Sequence, residues 1–417
     1  MAMDSGAPHR PFRLSMLFND ARYRVWTLQV IAFCILVVAA AWLINNTVQN
    51  LAALGKDYSF SFLWSTAGYD IAPHAIDYSS TSTHARAAVV GLLNTLIVAA
   101  MACATATLIG VFAGVLRLSD NWIVARLMTV YVESFRNIPA LLWIIIVAAI
   151  MSESMPVPGA FRGESPTASM LLWDSIAITN RGIYVPVPDF THGLGQLPLG
   201  FMSLNLNYTA ILVLIATSFL AHRALLKHAE RVQGATGRRP VTWWKSICIF
   251  LLPLLGLLYA LGFQFIYPSL KGLNFTGGLQ LRNSFIALWI GLSVYTGAFI
   301  AEIVRSGILA VSRGQTEAAH ALGLSPARTM RLVILPQALR VIIPPLISQY
   351  LNITKNTSLG LAVGYMDLRS TLGGITINQT GRELEGMLLM MLIYLCISLA
   401  ISSVMNIYNG RIRLKER

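Results

Sequence analysis

Long apolar stretches separated by short polar ones organise almost the whole chain. A helix that crosses a bilayer needs about 20 mostly apolar residues, because no water reaches its backbone to satisfy N–H and C=O groups. Eight stretches meet that length, at 26–45, 88–116, 127–150, 208–226, 246–267, 282–304, 338–360 and 386–408. The second is long enough to tilt or to project beyond the bilayer. The seventh is interrupted by Pro344, Pro345 and Lys355. The pattern predicts an all-α polytopic membrane protein of about eight transmembrane helices. The apolar run from Trp26 to Ile44 follows a polar lead that is long for a secretory signal, so it reads as a span, although Ala39-Ala40-Ala41 would suit a peptidase.

Charge placement tests this topology. Hydrophobic residues make up 55% of the 417 and charged residues only 12%, where a soluble domain carries about a quarter. Eight crossings put both termini on one side. Taking that side as cytoplasmic gives it Arg10, Arg13, Arg22 and Arg24, then Arg117 and Arg126, six cations at 222–245, five at 305–340, and Arg411, Arg413, Lys415 and Arg417. The excess alternates correctly along the chain, as the positive-inside rule requires. It also accounts for the net charge of +13 without nucleic acid. The segments 46–87 and 151–207 then lie outside. The second is turn-rich, with Pro156, Pro158, Pro186 and Pro188, and reads equally as a connector or as a surface for a partner. Cys34, Cys103, Cys248 and Cys396 each sit inside an apolar run without metal-site spacing, and read as packing residues.

One polar element stands between two spans. Ser312 with Gln315 forms a capping box ahead of Glu317-Ala318-Ala319-His320-Ala321-Leu322, and Gly323 suits the left-handed position that ends a helix. Ser325 followed by Pro326 starts a second helix carrying Arg328, Arg331, Leu332, Val333 and Leu335, which Pro336 checks as the next span begins. The small alanines beside Leu322 leave a slim apolar ridge. Periodicity leaves two readings open, a partner covering that ridge or a re-entrant elbow packed on its own bundle.

This stretch resembles the EAA signature of ABC importer permeases: Glu317-Ala318-Ala319, Gly323, and Val333-x-Leu335-Pro336, with valine in place of isoleucine. Gly91-Leu92-Leu93-Asn94-Thr95-Leu96, Arg117-Leu118-Ser119, Tyr131 through Pro139, and Lys355-Asn356-Thr357-Ser358-Leu359 look like the polar amino acid permeases of the histidine/glutamine type. The extra spans and long outer segments are similar to the Q-type membrane subunit of the general L-amino acid importers of alpha-proteobacteria.

The resemblance implies a five-helix, MetI-like core of the type I importers plus a cytoplasmic coupling helix. It divides the chain into a tail at 1–25, a first span with its outer segment at 26–87, core helices at 88–150, an insertion at 151–281, core helices at 282–408 with the coupling loop 305–337, and a tail at 409–417. It implies that Glu317, Ala318, Ala319, Leu322, Gly323, Ser325, Pro326, Leu335 and Pro336 couple to a cytoplasmic ABC ATPase. That ATPase would hold ATP and Mg, and this chain would bind no cofactor. The other implied partners are a sister permease subunit of the M type, a periplasmic amino acid binding protein and membrane lipid. The location implied is the bacterial inner membrane. One departure is Trp143, where close relatives show glutamine; if that glutamine lines the path, the substrate range differs here.

Ionisable groups at membrane depth are costly and face the bundle interior. Glu133 and Arg136 stand three apart on one helix. They read as a pair that spares both charges from lipid, or as a site where Arg136 attracts a substrate carboxylate. Asn137 adjoins them, and Pro139 predicts a kink. Lys355 and Asn356 read as a polar patch on the path or as the end of a helix. Glu302 and Arg305 are expected to orient the loop that follows, and Asn94 and Thr95 to bond between helices.

The sequence contains no G-x-x-x-x-G-K-[ST] phosphate cradle and no nucleophile elbow, and its seven histidines are scattered. The expectation is a conduit driven by a separate ATPase. A gradient-driven transporter or channel and a membrane-embedded enzyme are the rivals from other classes.

Overall fold

The computed structural model describes residues 18, 20–53, 55, 58–163, 165–198 and 203–412. Most of the lead at 1–25 and the cations at 413–417 fall outside them. The described residues up to Ser61 form one unit, whose helix α1 (Ala21–Ala53) is predominantly apolar.

The second unit begins at Phe62. Its helix α2 (His84–Leu116) starts at Thr83, whose hydroxyl accepts from the Arg86 N–H, and ends on Arg117. Two shorter helices follow, α3 (Trp122–Asn137) and α4 (Ala140–Ala149), the latter extended by a π turn to Ser154. They meet at 105°, so the stretch expected as one span at 127–150 is broken. Ile138 is extended (φ −113°, ψ 136°), as a residue before proline must be.

The segment expected to be turn-rich and not helical folds into short strands. These are β1 (Ala177–Thr179), β2 (Gly182–Val185), β3 (Val187–Phe190), β4 (Gln196–Pro198) and β5 (Ser203–Asn205). Helix α5 (Leu206–Thr236) then pairs with α6 (Trp243–Ala260) as a hairpin. The span expected at 246–267 stops at Ala260, because Gly262 turns left-handed (φ +63°) and β6 (Phe263–Ile266) begins. Then come β7 (Ser269–Lys271), β8 (Asn274–Thr276) and β9 (Leu279–Arg282). Sheet order β1-β2-β9 and the β3-β6 pair tie the two connectors together, all antiparallel. These strands escaped the hydropathy reading because each is only three or four residues long. The connector is therefore a built element joined to the start of the next helix, not a free loop.

Helix α7 (Asn283–Leu309) is the most enclosed span and leads into α8 (Arg313–Ala321) and α9 (Pro326–Thr329). Helix α10 (Leu335–Asn356) runs straight through Pro344 and Pro345 and passes into a 3-10 helix at Thr357–Val363. The prolines cost two backbone bonds but do not end the helix, since Ile342, Ile343 and Ile347 beside them are buried in the bundle. After it, α11 (Leu368–Ser370), a π turn at Thr371–Thr376 and α12 (Ile377–Thr380) continue along α2 towards His84 before α13 (Glu383–Ile412) begins. Among the described residues, seven helices are long and apolar enough to cross a membrane, and the α3–α4 pair makes an eighth.

The core is the α2–α7 contact. Ala99, Ala102, Ala106, Gly110 and Ala113 place small buried positions on one face of α2. A Cβ on Gly110 would stand 2.9 Å from the Gly297 carbonyl oxygen, and one on Gly114 2.6 Å from that of Ala301. Backbones approach this closely only where side chains are absent, the usual device of helix pairs in lipid. Thr105 and Ser293 share a hydrogen bond of 2.5 Å across the contact, and Trp289 Nε1 donates to Thr105 at 3.1 Å.

Candidate functional site

Between α7 and α10 the chain leaves the bundle as a rigid double helix. Ser312 occupies the N-cap position (φ −62°, ψ 142°), but its hydroxyl makes no cap bond, so the expected capping box does not form. Gln315 instead accepts from Gln337 Nε2 at 3.3 Å, bracing the first helix of the loop to the start of α10. The end of α8 is a Schellman turn. The Gly323 N–H donates to the His320 oxygen at 2.9 Å and the Leu324 N–H to that of Ala319 at 3.1 Å. Gly323 takes φ +76° with open space where a Cβ would stand, so glycine is required there by backbone conformation and not by crowding.

Ser325 again caps by position only, and Pro326 opens α9. A π turn at Met330–Ile334 then carries α9 directly into α10. Pro336 therefore lies in the first turn of α10 and does not stop the chain's helical path, correcting the expectation that it would. Glu317, Ala318, Leu322, Gly323, Ser325, Pro326, Leu335 and Pro336 are all exposed, while Ala319 turns inward and is buried. Leu322 is 83% exposed, and Leu332 and Leu335 add to an uncovered apolar surface. Beside Leu335 and Pro336 a cavity of about 730 Å³ opens between α10 and α13, lined by Leu339, Ile343, Tyr350 and Met405.

The expected path residues do not form one cluster. Glu133 does not pair with Arg136. Its Oε1 lies 3.9 Å from Arg117 Nη2, and Arg136 Nη1 lies 3.8 Å from Glu302 Oε2. Glu302 Oε2 also accepts from Arg117 Nη1, and its Oε1 from Arg305 Nη1 at 3.4 Å. Spacing alone missed this because the partners come from three helix ends that only the fold brings together. Arg136 further sits 5.5 Å from the Phe299 ring. Asn137 is exposed at the end of α3. Lys355 and Asn356 lie in the last turn of α10, and no hydrogen bond or ion pair among the described residues links them to Glu133, Arg136 or Asn137.

Inside the elbow, Phe135 and Trp143 stack with ring centroids 3.9 Å apart. Tyr131 donates its hydroxyl to the Val294 carbonyl at 2.7 Å, fixing α3 to the middle of α7. At the opposite end of the bundle, Asn94 Nδ2 donates to the carbonyls of Pro73 and Met366, each at 2.9 Å. Thr95 Oγ1 accepts from the Leu368 N–H at 3.0 Å, and buried Asp367 caps α11 through the Ser370 N–H at 2.8 Å. Asn94 and Thr95 thus bond as expected, but to the 366–368 segment and to Pro73, partners that the sequence reading did not identify.

The fold is thus polytopic, with an exposed pair of short helices between two spans. Residues 237–414 match the family of binding-protein-dependent transport system inner membrane components. Along its whole length the chain is 58% identical to the glutamate/glutamine/aspartate/asparagine transport system permease protein BztB of Rhodobacter capsulatus, covering 100% of both. It is 43% identical to the putative amino-acid ABC transporter permease protein YhdX of Escherichia coli, over 97% of this chain and 98% of that one. It is 40% identical to the general L-amino acid transport system permease protein AapQ of Rhizobium johnstonii, over 97% and 96%. The chain belongs to the permease subunits of amino acid ABC importers, multi-pass proteins of the inner membrane. ATP hydrolysis in these importers falls to a separate ATPase subunit.

Proposed function

We propose that the 313–335 double helix is the lever through which a cytoplasmic ABC ATPase drives this permease. What supports the reading is the exposed ridge of Ala318, Leu322, Leu332 and Leu335 on an element held rigid at Gly323 and by the Gln315–Gln337 brace. An apolar surface of this kind facing cytosol is a liability unless a partner covers it. The EAA-like pattern runs along the same element. In this reading both termini and the lever face the cytoplasm, as the arginine and lysine excess suggests.

A sister permease completes the membrane unit, and a periplasmic binding protein delivers amino acid to the opposite mouth. ATP with Mg closes the ATPase pair, whose grooves drag both levers and switch the bundle between outward and inward states. The cargo is L-amino acids, polar and acidic ones included, in keeping with the names of the relatives. Glu133, Arg136, Asn137, Lys355 and Asn356 remain candidates for the path at two separate levels.

Reconstitution tests the reading. Vesicles holding this chain, a sister permease and the ATPase should import labelled amino acid only with ATP inside and binding protein outside. Concentration of solute by this chain alone, driven by a gradient, would support a secondary transporter and overturn it. A competition panel of amino acids in the same vesicles sets the substrate range.

A further inference from the structure

Three helix ends meet at Glu302 and Arg117, and the four ion pairs around these two residues are not equivalent. Arg117, at the end of α2, hydrogen-bonds Glu302, about two turns from the end of α7, which Arg305 also braces. These bonds reinforce the α2–α7 frame, already locked by Gly110 and Gly114. The two pairs that reach α3 are longer, Arg136–Glu302 at 3.8 Å and Arg117–Glu133 at 3.9 Å, beyond hydrogen-bond distance. The Arg117 side chain is only 8% exposed, and its Nε is buried with no acceptor. A buried guanidinium N–H without a partner calls for an explanation. A carboxylate that takes Nε together with Nη2 fits the guanidinium fork. Glu133 already stands beside Nη2 and is half-exposed, free to move.

We propose that Glu302 is the positioning residue that transmits lever motion to the elbow. In this conformation its carboxylate holds Arg136 and so restrains α3. In the alternate conformation α3 shifts, Arg136 leaves Glu302, and Glu133 closes on the Nε–Nη2 edge of Arg117. The lever follows Glu302 by about two turns of α7 and a three-residue link, so a pull on 313–321 reaches this carboxylate along α7. Arg136 closes the last turn of α3, directly before the bend at Ile138 and Pro139. One group therefore joins the element that receives work to the element that bends. The exchange loses the long ion pair at Arg136 and converts the long one at Arg117 into a hydrogen-bonded pair that satisfies the buried Nε. This inference rests on the lever reading above.

The test uses the full reconstituted complex and reads two quantities, co-purified ATPase and ATP consumed per amino acid imported. Glu302→Gln and Glu133→Gln should each retain ATPase within twofold of the unsubstituted complex, yet raise ATP per import at least tenfold. The double variant should be no worse than either single change, since both cut the same relay. Glu302→Asp should recover most of the ratio. A role in folding alone would lower import and hydrolysis together and leave the ratio unchanged, which would overturn the proposal. Additive effects of the two single changes would also overturn it. Loss of ATPase from Glu302→Gln would show instead that the residue shapes the lever, again against the proposal but not against the lever reading. Failure of that reading appears separately, as an unsubstituted complex that imports without nucleotide.

Discussion

The two ends of this bundle are closed by different chemistry. At the end away from the lever, Asn94, Thr95, Tyr365 and Asp367 are buried and linked mainly by hydrogen bonds to backbone groups. At the lever end, Glu302, Arg136, Arg305 and Glu133 are charged and partly open to solvent. Hydrogen bonds in a dry site are costly to leave unmade, whereas partly exposed ion pairs are worth only about 0–1 kcal/mol each and exchange easily. One end is thus a fixed anchor and the other can re-pair.

Substitutions can break or sharpen the contrast. The frame shared by both ends should be least tolerant. Gly110→Leu would drive a side chain into Gly297 and Ile300, costing about 3 kcal/mol or more and abolishing monodisperse protein in detergent chromatography. The anchor comes next. Asn94→Ala strands two part-buried carbonyls and should cost about 1–2 kcal/mol, seen as a lowered thermal unfolding midpoint of the purified complex. Gly323→Val strains the lever by about 1–2 kcal/mol, leaves the bundle's unfolding midpoint nearly unchanged, and cuts ATPase co-purification at least tenfold. Smallest is Arg305→Gln, which removes one exposed pair from Glu302. It should shift stability by at most about 0.5 kcal/mol in the same unfolding assay. A larger loss for Arg305→Gln than for Asn94→Ala would reverse the assignment of anchor and hinge.

Much of this was legible in the residues, and what escaped did so for identifiable reasons. Hydropathy located every long helix, because span length is fixed by the bilayer. Pro139 announced a kink, though not that the bend reaches 105° with Phe135 and Trp143 stacked inside it. Gly323 was readable because a left-handed cap leaves few other choices. The Glu302 cluster was not, since Arg117, Arg136 and Glu302 lie on three helices and sequence spacing carries no cross-helix distance. A carboxylate near the inner end of one apolar span and an arginine closing its neighbour were the available signal. The short strands at 177–205 and 263–282 fell below the length at which alternation is distinguishable from a loop.

The account depends on a partner gripping residues 313–335. A photoreactive phenylalanine at Leu322, which is 83% exposed, measures this directly in membranes carrying the assembled importer. Irradiation should join this chain to the ATPase, while the same probe at Trp173, 95% exposed but on the connector that the proposed topology places outside, should not. An ATPase adduct at Trp173 with none at Leu322 would contradict the account.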